Sequence, residues 1–347
     1  MSKWLCWFEE LGQEHNNLVG GKCANLGEMM KIGVRIPTGF AITTEAYDNF
    51  LEETGADREM KDYLLKFREG PRNFSEFEEV SKAIEDIIVS KEIPKALQES
   101  IWMEYETLCQ ETGISDLPVA VRSSGVAEDM PTASFAGQYE SYLNVRGKDD
   151  LLEKVKLCWA SAFTARCINY RVQKRLGLLG GSISVGVQKM VNSRASGVGF
   201  TIHPVTGDDT RIILEGNWGV GESVVQGVVT PDTFVIDKKT VKLEKKEISK
   251  KLRQYSFRSR GTAEVDVPLE KQNVACISTE EAEQVAEFTK MIESHYGVPI
   301  DIEWAVDADL PFPERVFLVQ ARQVTVVVKK KNVTDQILDM MVARFVG

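Results

Sequence analysis

The sequence predicts an α+β protein, and three observations carry that prediction. Helical periodicity fills the first third of the chain, strand alternation takes over from Ile183, and a last long helix precedes a strand pair at 301–322. Taken in order, helices are expected at about 22–32, 44–54, 75–90 and 94–112, separated by Gly33, Pro37, Pro71 and Pro94. The run LPVAVRSS at 117–124 reads as a short buried strand, and 139–145 as a second. From Asp149 a helix sets Leu151, Val155, Trp159 and Phe163 on one core-facing stripe. Strands are then expected at 183–191, 197–203, 211–217, 232–237 and 241–248, and a helix at 279–295. No internal repeat or low-complexity tract interrupts this order.

The closing pair, DIEWAVDADLPFPERVFLVQAR, carries polar residues inside apolar strands. Alternation puts Ile300, Ile302, Trp304 and Val306 on one face and Asp301 and Glu303 on the other. The second run sets Val316, Leu318, Gln320 and Arg322 together, opposite Phe317, Val319 and Ala321. With turn chemistry between the runs, an antiparallel pairing brings Glu303 near Gln320 and Arg322. A salt-bridged edge hairpin and a polar site explain this stretch equally well.

Composition excludes several classes of function. A net charge of −10 and a pI near 5.1 argue against nucleic acid or an anionic membrane as main partner. No apolar run reaches the length of a membrane span, and the N-terminus has no secretory signal. Six scattered cysteines without a CxxC pair point to reduced thiols and a cytoplasmic location. Three histidines, none at metal-ligand spacing, exclude a zinc site.

Three glycine-containing stretches invite a phosphate-loop reading. GNWGVGES at 216–223 has Walker spacing, but Glu222 stands where the lysine must be and would repel phosphate. No G-x-G-x-x-G joins a strand to a helix, so a Rossmann site is unsupported. In VGGKCANLGEM, Gly20 and Gly21 free the backbone to approach a ligand, and Lys22 opens a helix whose amides favour anions. A surface lysine after a turn accounts for it as well. MPTASFAGQYES, around Gly137, suits a mobile loop over phosphates or an Ω-loop. In the strand from Ile183, Ser184, Gly186, Gln188 and Met190 share a face with room for a flat ring. Arg122 likewise lies among small residues, Ala120 and Ser124, which suits a phosphate. Cys23, beside Lys22 at a helix start, reads either as the most readily alkylated cysteine, protected when a ligand fills the site, or as a buried inert thiol packed under the loop.

Together, LVGGKCANLGEM, VAVRSSGVAEDMPTASFAGQYESYLNV, GVGESVVQGVVTPDTFVI, HYGVPIDIEW and FLVQAR resemble the N-terminal nucleotide-binding domain of phosphoenolpyruvate synthase and pyruvate phosphate dikinase over residues 4–326. The resemblance implies an ATP-grasp fold with ATP between two lobes. It divides the chain into 1–191, a helix-rich lobe with phosphate loops, 192–327, a second lobe with nucleotide and metal, and 328–347, a linker and docking helix. Position by position, it implies that Lys22 and Arg122 hold the ATP phosphates, with Gly137 and Ser141 on the covering loop. It places Gln188 at the adenine, Glu303 and Gln320 at Mg²⁺, and Arg322 in the phosphate clamp. A loose phosphoryl-transfer transition state needs such cations and metal, not a covalent nucleophile.

In the family, ATP phosphorylates a histidine on a swivelling domain, which carries the phosphoryl group to an acceptor bound elsewhere. His15, His203 and His295 lie in no matching motif, so a histidine-bearing partner domain or subunit is expected. QARQVTV departs from the family's proline-glutamate continuation. The chain ends where the histidine domain is expected, and at this size it is similar to the ATP-binding subunit of phenylphosphate synthase, whose acceptor is phenol. Pyruvate, or the acceptor of an antibiotic phosphotransferase, is the alternative. The apolar positions Ile337, Leu338, Met341, Val342 and Phe345 after a Lys-Lys-Lys run read as a helix that docks on the partner. A carboxylate–amine ligase, which forms ADP, and a nucleotide-sensing subunit without catalysis are the rival classes.

Overall fold

The computed structural model describes residues 4–67, 70–126, 129–130, 133–134, 140–174, 176–179, 182–203 and 206–324. Gly137, the linker and the expected docking helix lie outside the described residues. Helix and strand are mixed, as the α+β expectation has it.

The first sheet is built from β1 (Leu5–Trp7), β2 (Gly39–Ile42), β3 (Val119–Gly125), β4 (Ser141–Val145) and β5 (Ile183–Lys189). Its order is β1-β2-β5-β3-β4, antiparallel throughout. The second takes β6 (Ser193–Phe200), β7 (Arg211–Trp218), β8 (Asp232–Asp237), β9 (Lys242–Glu247), β12 (Ile300–Asp307) and β13 (Val316–Gln323) in the order β9-β8-β7-β6-β12-β13. Between β9 and β12 a separate two-stranded ladder pairs β10 (Arg253–Phe257) with β11 (Thr262–Asp266). The helices are α1 (Asn16–Lys31), α2 (Thr44–Thr54), α3 (Ala56–Leu64), α4 (Phe74–Ser90), α5 (Lys95–Thr112), α6 (Gly147–Ala160), α7 (Ala165–Gln173), α8 (Glu222–Val225) and α9 (Thr279–Tyr296).

The long helices start and stop where local chemistry directs. The Thr43 side chain caps α2, Asn73 caps α4, and a Ser278/Glu281 capping box opens α9. α2, α5 and α9 end at Gly55, Gly113 and Gly297 in the left-handed region. β1, β2, α3, α7 and the β10–β11 ladder were not anticipated, because they are short, or polar with weak alternation. β6 begins at Ser193 rather than 197, since Gly197 and Gly199 interrupt its apolar pattern.

Two cores organise the packing. One gathers the inner face of the first sheet with residues of α2, α4, α5 and α6 around the fully buried Trp159. The other joins the second sheet and α9 to the inner face of α1, including Cys23, Leu26 and Met29. α1 packs against β3, β5 and β13, so this helix from the start of the chain lies against both sheets.

That position explains the Gly-Gly pair. α1 breaks its helical geometry at Gly20, with φ 68°, and resumes just before Lys22. A Cβ on Gly20 would lie 2.2 Å from the Ser124 carbonyl oxygen, so the glycine seats the helix on β3. Ser124 Oγ accepts from the Cys23 amide at 3.2 Å and donates to the Val19 carbonyl at 2.8 Å, satisfying backbone groups exposed by the break. The freedom read as an approach to a ligand is thus used for an approach to a strand. Gly20→Ala combines a left-handed backbone with a carbonyl clash and should cost about 2–4 kcal/mol, seen as a lower urea midpoint at unchanged slope.

Candidate functional site

The site begins with Arg122, held on β3 between Ser141 of β4 and Gly186 of β5. Its guanidinium leaves the first sheet and reaches the second. Nη2 donates to Glu303 Oε2 at 2.9 Å and to Gln320 Oε1 at 2.6 Å, while Nη1 donates to the Val319 carbonyl at 3.2 Å. Residues 181 and 198 positions apart thus share one group.

A bulge makes this convergence possible. Strict alternation put Gln320 and Arg322 on the face of Val316 and Leu318. In the structure Glu303 pairs with Gln320 but Trp304 pairs with Leu318, so Val319 is the extra residue. The slip leaves Val316, Leu318 and Ala321 buried and turns Gln320 and Arg322 to the other side. Arg322 Nε donates to both oxygens of Asp301 at 2.8 and 2.7 Å, a clamp that the sequence reading did not assign. Burial pushes the Asp301 carboxyl up despite the opposing pull of Arg322.

Lys22, just after the α1 break, donates from Nζ to the Ser123 carbonyl at 2.9 Å. Lys22, Arg122, Ser141, Gln188, Glu303, Gln320 and Arg322 all line one cleft of about 710 Å³. Beyond the charged group its walls carry Ala120, Leu143, Met190, Val191, Val220 and Val225. Gln188 is 3% exposed, its Nε2 a long 3.5 Å from the Pro37 carbonyl. Glu222 and Gln226 also line the cleft, and neither was assigned to it from the sequence.

GNWGVGES is explained by packing. A Cβ on Gly216 would meet the Trp304 ring at 2.7 Å, and one on Gly219, at φ 76°, would meet the Tyr255 carbonyl at 2.1 Å. These glycines admit an indole and a neighbouring strand, and Glu222 receives the Thr262 hydroxyl. His15, His203 and His295 do not line the cleft. His15 Nδ1 accepts from the Gly12 amide at 3.1 Å, His203 Nδ1 from the Thr206 amide at 3.3 Å, and His295 Nε2 meets Glu28 at 2.7 Å. The described residues contain no group of three or more His, Cys, Asp or Glu side chains able to hold a metal.

Chemically, the cleft brings Lys22, Arg122 and Arg322 and the oxygens of Glu303 and Gln320 together with apolar walls and the Gln188 amide. It suits a ligand with a flat ring and a polyanionic tail. The chain belongs to the family described as pyruvate phosphate dikinase, AMP/ATP-binding domain, whose model matches residues 16–341. It is 42% identical over 326 residues to a probable phosphoenolpyruvate synthase of Methanothermobacter thermautotrophicus, covering 94% of this chain and 46% of that protein. It is 41% identical to one from Staphylothermus marinus, with 93% and 41% covered, and 39% identical to the phosphoenolpyruvate synthase of Aeropyrum pernix, with 94% and 43% covered. The chain therefore spans less than half the length of these relatives. A solved ADP complex of purK, N5-carboxyaminoimidazole ribonucleotide synthetase, is distantly similar, at 12% identity and a TM-score of 0.31, covering 67% of this chain and 40% of that one.

Of the two readings of Cys23, the structure favours the buried thiol over the reactive one. Cys23 is 1% exposed, packed under the α1 break beside Gly186, and Cys109 is the cysteine of intermediate exposure. Brief treatment with a maleimide should label Cys109 first and leave Cys23 unmodified until the chain unfolds. Peptide mass spectrometry reads both sites, and early labelling at Cys23 would contradict the packing.

Proposed function

We propose that the cleft binds Mg·ATP in an ATP-grasp arrangement, one lobe at 1–191 and the other at 192–327, and phosphorylates a histidine on a partner domain or subunit, with release of AMP and phosphate. The observation that carries this reading is that Lys22, Arg122, Arg322, Glu303 and Gln320 line one cleft, with Arg122 bonded to Glu303 and Gln320, inside a chain of the dikinase AMP/ATP-binding family. The three cations face the phosphates, and Gln188 faces the adenine in the slot. Ser141 lies toward the phosphates, and the resemblance gives the same role to Gly137, which is outside the described residues.

The residues fit magnesium. Glu303 Oε2 and Gln320 Oε1 already converge on one cationic group, and hard oxygen donors suit Mg²⁺. Two protein oxygens leave most of an octahedral shell to phosphate and water, as is usual for this ion. When bound, the metal supplies charge neutralisation at the phosphates. The chain's own part is to exchange partners: Arg122 gives up the two oxygens and turns to phosphate, Lys22 leaves the Ser123 carbonyl, and Arg322 stays oriented by Asp301.

For the acceptor, the resemblance to the phenylphosphate synthase subunit supports phenol. Pyruvate is the second reading, supported by relatives named phosphoenolpyruvate synthase. The deciding experiment mixes the chain with Mg·ATP and either acceptor, with and without the histidine-bearing partner, and measures AMP and phosphorylated product. Phenylphosphate and AMP formed only with the partner, and lost on removing residues 333–347, are the expected result. ADP as product would favour a ligase, and full turnover by the chain alone would end the relay reading.

Glu303 gives a sharper test. Glu303→Gln keeps an oxygen for Arg122 but removes the charge that attracts metal. Thermal stability should stay near the wild-type value while the Mg²⁺ needed for half-maximal phosphorylation rises at least about tenfold. Glu303→Ala should lower the rate by about three orders of magnitude. An active Glu303→Ala chain with unchanged Mg²⁺ dependence removes the assignment.

A further inference from the structure

We propose that Asn144 is a positioning residue of the cleft: it clips the β10–β11 hairpin across from the second sheet to the first and thereby sets how long a nucleotide stays bound. The inference rests on the nucleotide reading above.

The hairpin is rooted firmly in the second sheet. Asn217 Nδ2 donates to the Arg253 carbonyl at 2.9 Å and the Val220 amide to the Tyr255 carbonyl at 2.9 Å, and toward the tip the Thr262 hydroxyl donates to Glu222. Just before β10, Lys251 meets Asp232 at 2.5 Å, both side chains wholly buried. Asp232 also accepts from the amides of Ser249 and Cys276, each at 2.9 Å, so the root is fully satisfied.

The tip is held differently. Asn144 Nδ2 donates to the carbonyls of Arg258 and Gly261, both at 2.8 Å, and the Asn144 carbonyl accepts from the Gly261 amide at 3.4 Å. Among the described residues, the tip's hydrogen bonds to β4 all run through Asn144. Its Oδ1 accepts from Arg146 Nε at 3.0 Å, so the carboxamide is used at both ends. Asn144 is completely buried and sits at φ 55°, a backbone that asparagine tolerates better than most residues.

The hairpin adds little core, since β10 and β11 are exposed or half-buried along their length. Its effect is geometric. Ser141 and Leu143 of β4 line the cleft near Asn144, and Val220 and Glu222, which bond Tyr255 and Thr262 of the hairpin, line it as well. The hairpin joins these two parts of the wall without passing through either core. A clipped hairpin opposes their separation, and separation is what releases a ligand held between them.

Asn144→Gly removes the amide and keeps the left-handed backbone open, so it isolates the clip from the turn. Asn144→Asp keeps size and the contact with Arg146 but sets an acceptor against two carbonyls. Stopped-flow release of a fluorescent ATP analogue from the full chain should be about tenfold faster in both variants. Hydrogen exchange across 253–266 should be faster as well, with association rates unchanged. Arg258→Ala, which leaves the backbone carbonyl in place, should release at the wild-type rate. If Asn144→Gly does not fold, Asn144→Asp is read by the same criterion. Wild-type release rates in the variants, even with a lower melting temperature, overturn the clip and leave the nucleotide site standing. A wild-type chain that binds no nucleotide overturns the reading beneath it, and the clip's proposed role with it.

Discussion

The Arg122 guanidinium is the interaction on which the cleft depends. It lies on the first sheet, and its acceptors, Glu303, Gln320 and the Val319 carbonyl, lie on the second. Its Nε is buried without a hydrogen-bond partner among the described residues, so the group is satisfied only through its two terminal nitrogens. A charge half-removed from water in this way is held by its partners rather than by solvation. Removing either oxygen would leave a poorly solvated cation. Ligand binding must therefore replace these partners with equivalent charge, and phosphate oxygens can do so.

Much of this was legible in the sequence, and the reasons can be traced residue by residue. β3, β7, β8, α2, α5 and α9 follow from plain periodicity bounded by caps and glycines. Arg122 among small residues, and Gln188 on a strand face of Ser184 and Gly186, carried the chemistry of their environment in their neighbours. Glu303 was placed by alternation alone. Gln320 and Arg322 were put near it by the same rule, yet the rule gave them the wrong face. One inserted residue, Val319, reverses every later position of β13, and nothing in FLVQAR marks it. The structure brings these residues to one cleft, although in a different register from the one alternation gave.

What stayed hidden is long-range. The burial of Cys23 follows from α1 lying against both sheets, and a helix start beside a lysine looks the same in sequence whether it faces solvent or a strand. Asn144 gave no signal: in YESYLNV it reads as one more polar strand position, and its partners are the carbonyls of residues 114 and 117 positions away. Glu222 was noticed only as the residue that spoils a Walker loop. Its place on the cleft wall comes from Gly219 and Gly221 turning the chain there, around the strand of Tyr255.

The charge distribution ties these features together. A chain of net charge −10 repels polyanions at long range, so affinity for one has to arise within a few ångströms. Lys22, Arg122 and Arg322 supply that local field, but each also engages an internal acceptor: a carbonyl, a carboxylate with an amide, and a second carboxylate. Arg122 and Arg322 are thus matched by carboxylates from within, whereas Lys22 meets a neutral carbonyl and Lys189 also lines the cleft. A ligand gains by exchange only if it brings enough negative charge to satisfy Lys22 and Arg122 together and a cation to satisfy Glu303 in return. A polyphosphate with its metal meets both conditions, whereas a single phosphate meets neither. On the reading proposed above, selectivity for a metal-bound polyphosphate would follow from the internal pairing as much as from the shape of the slot.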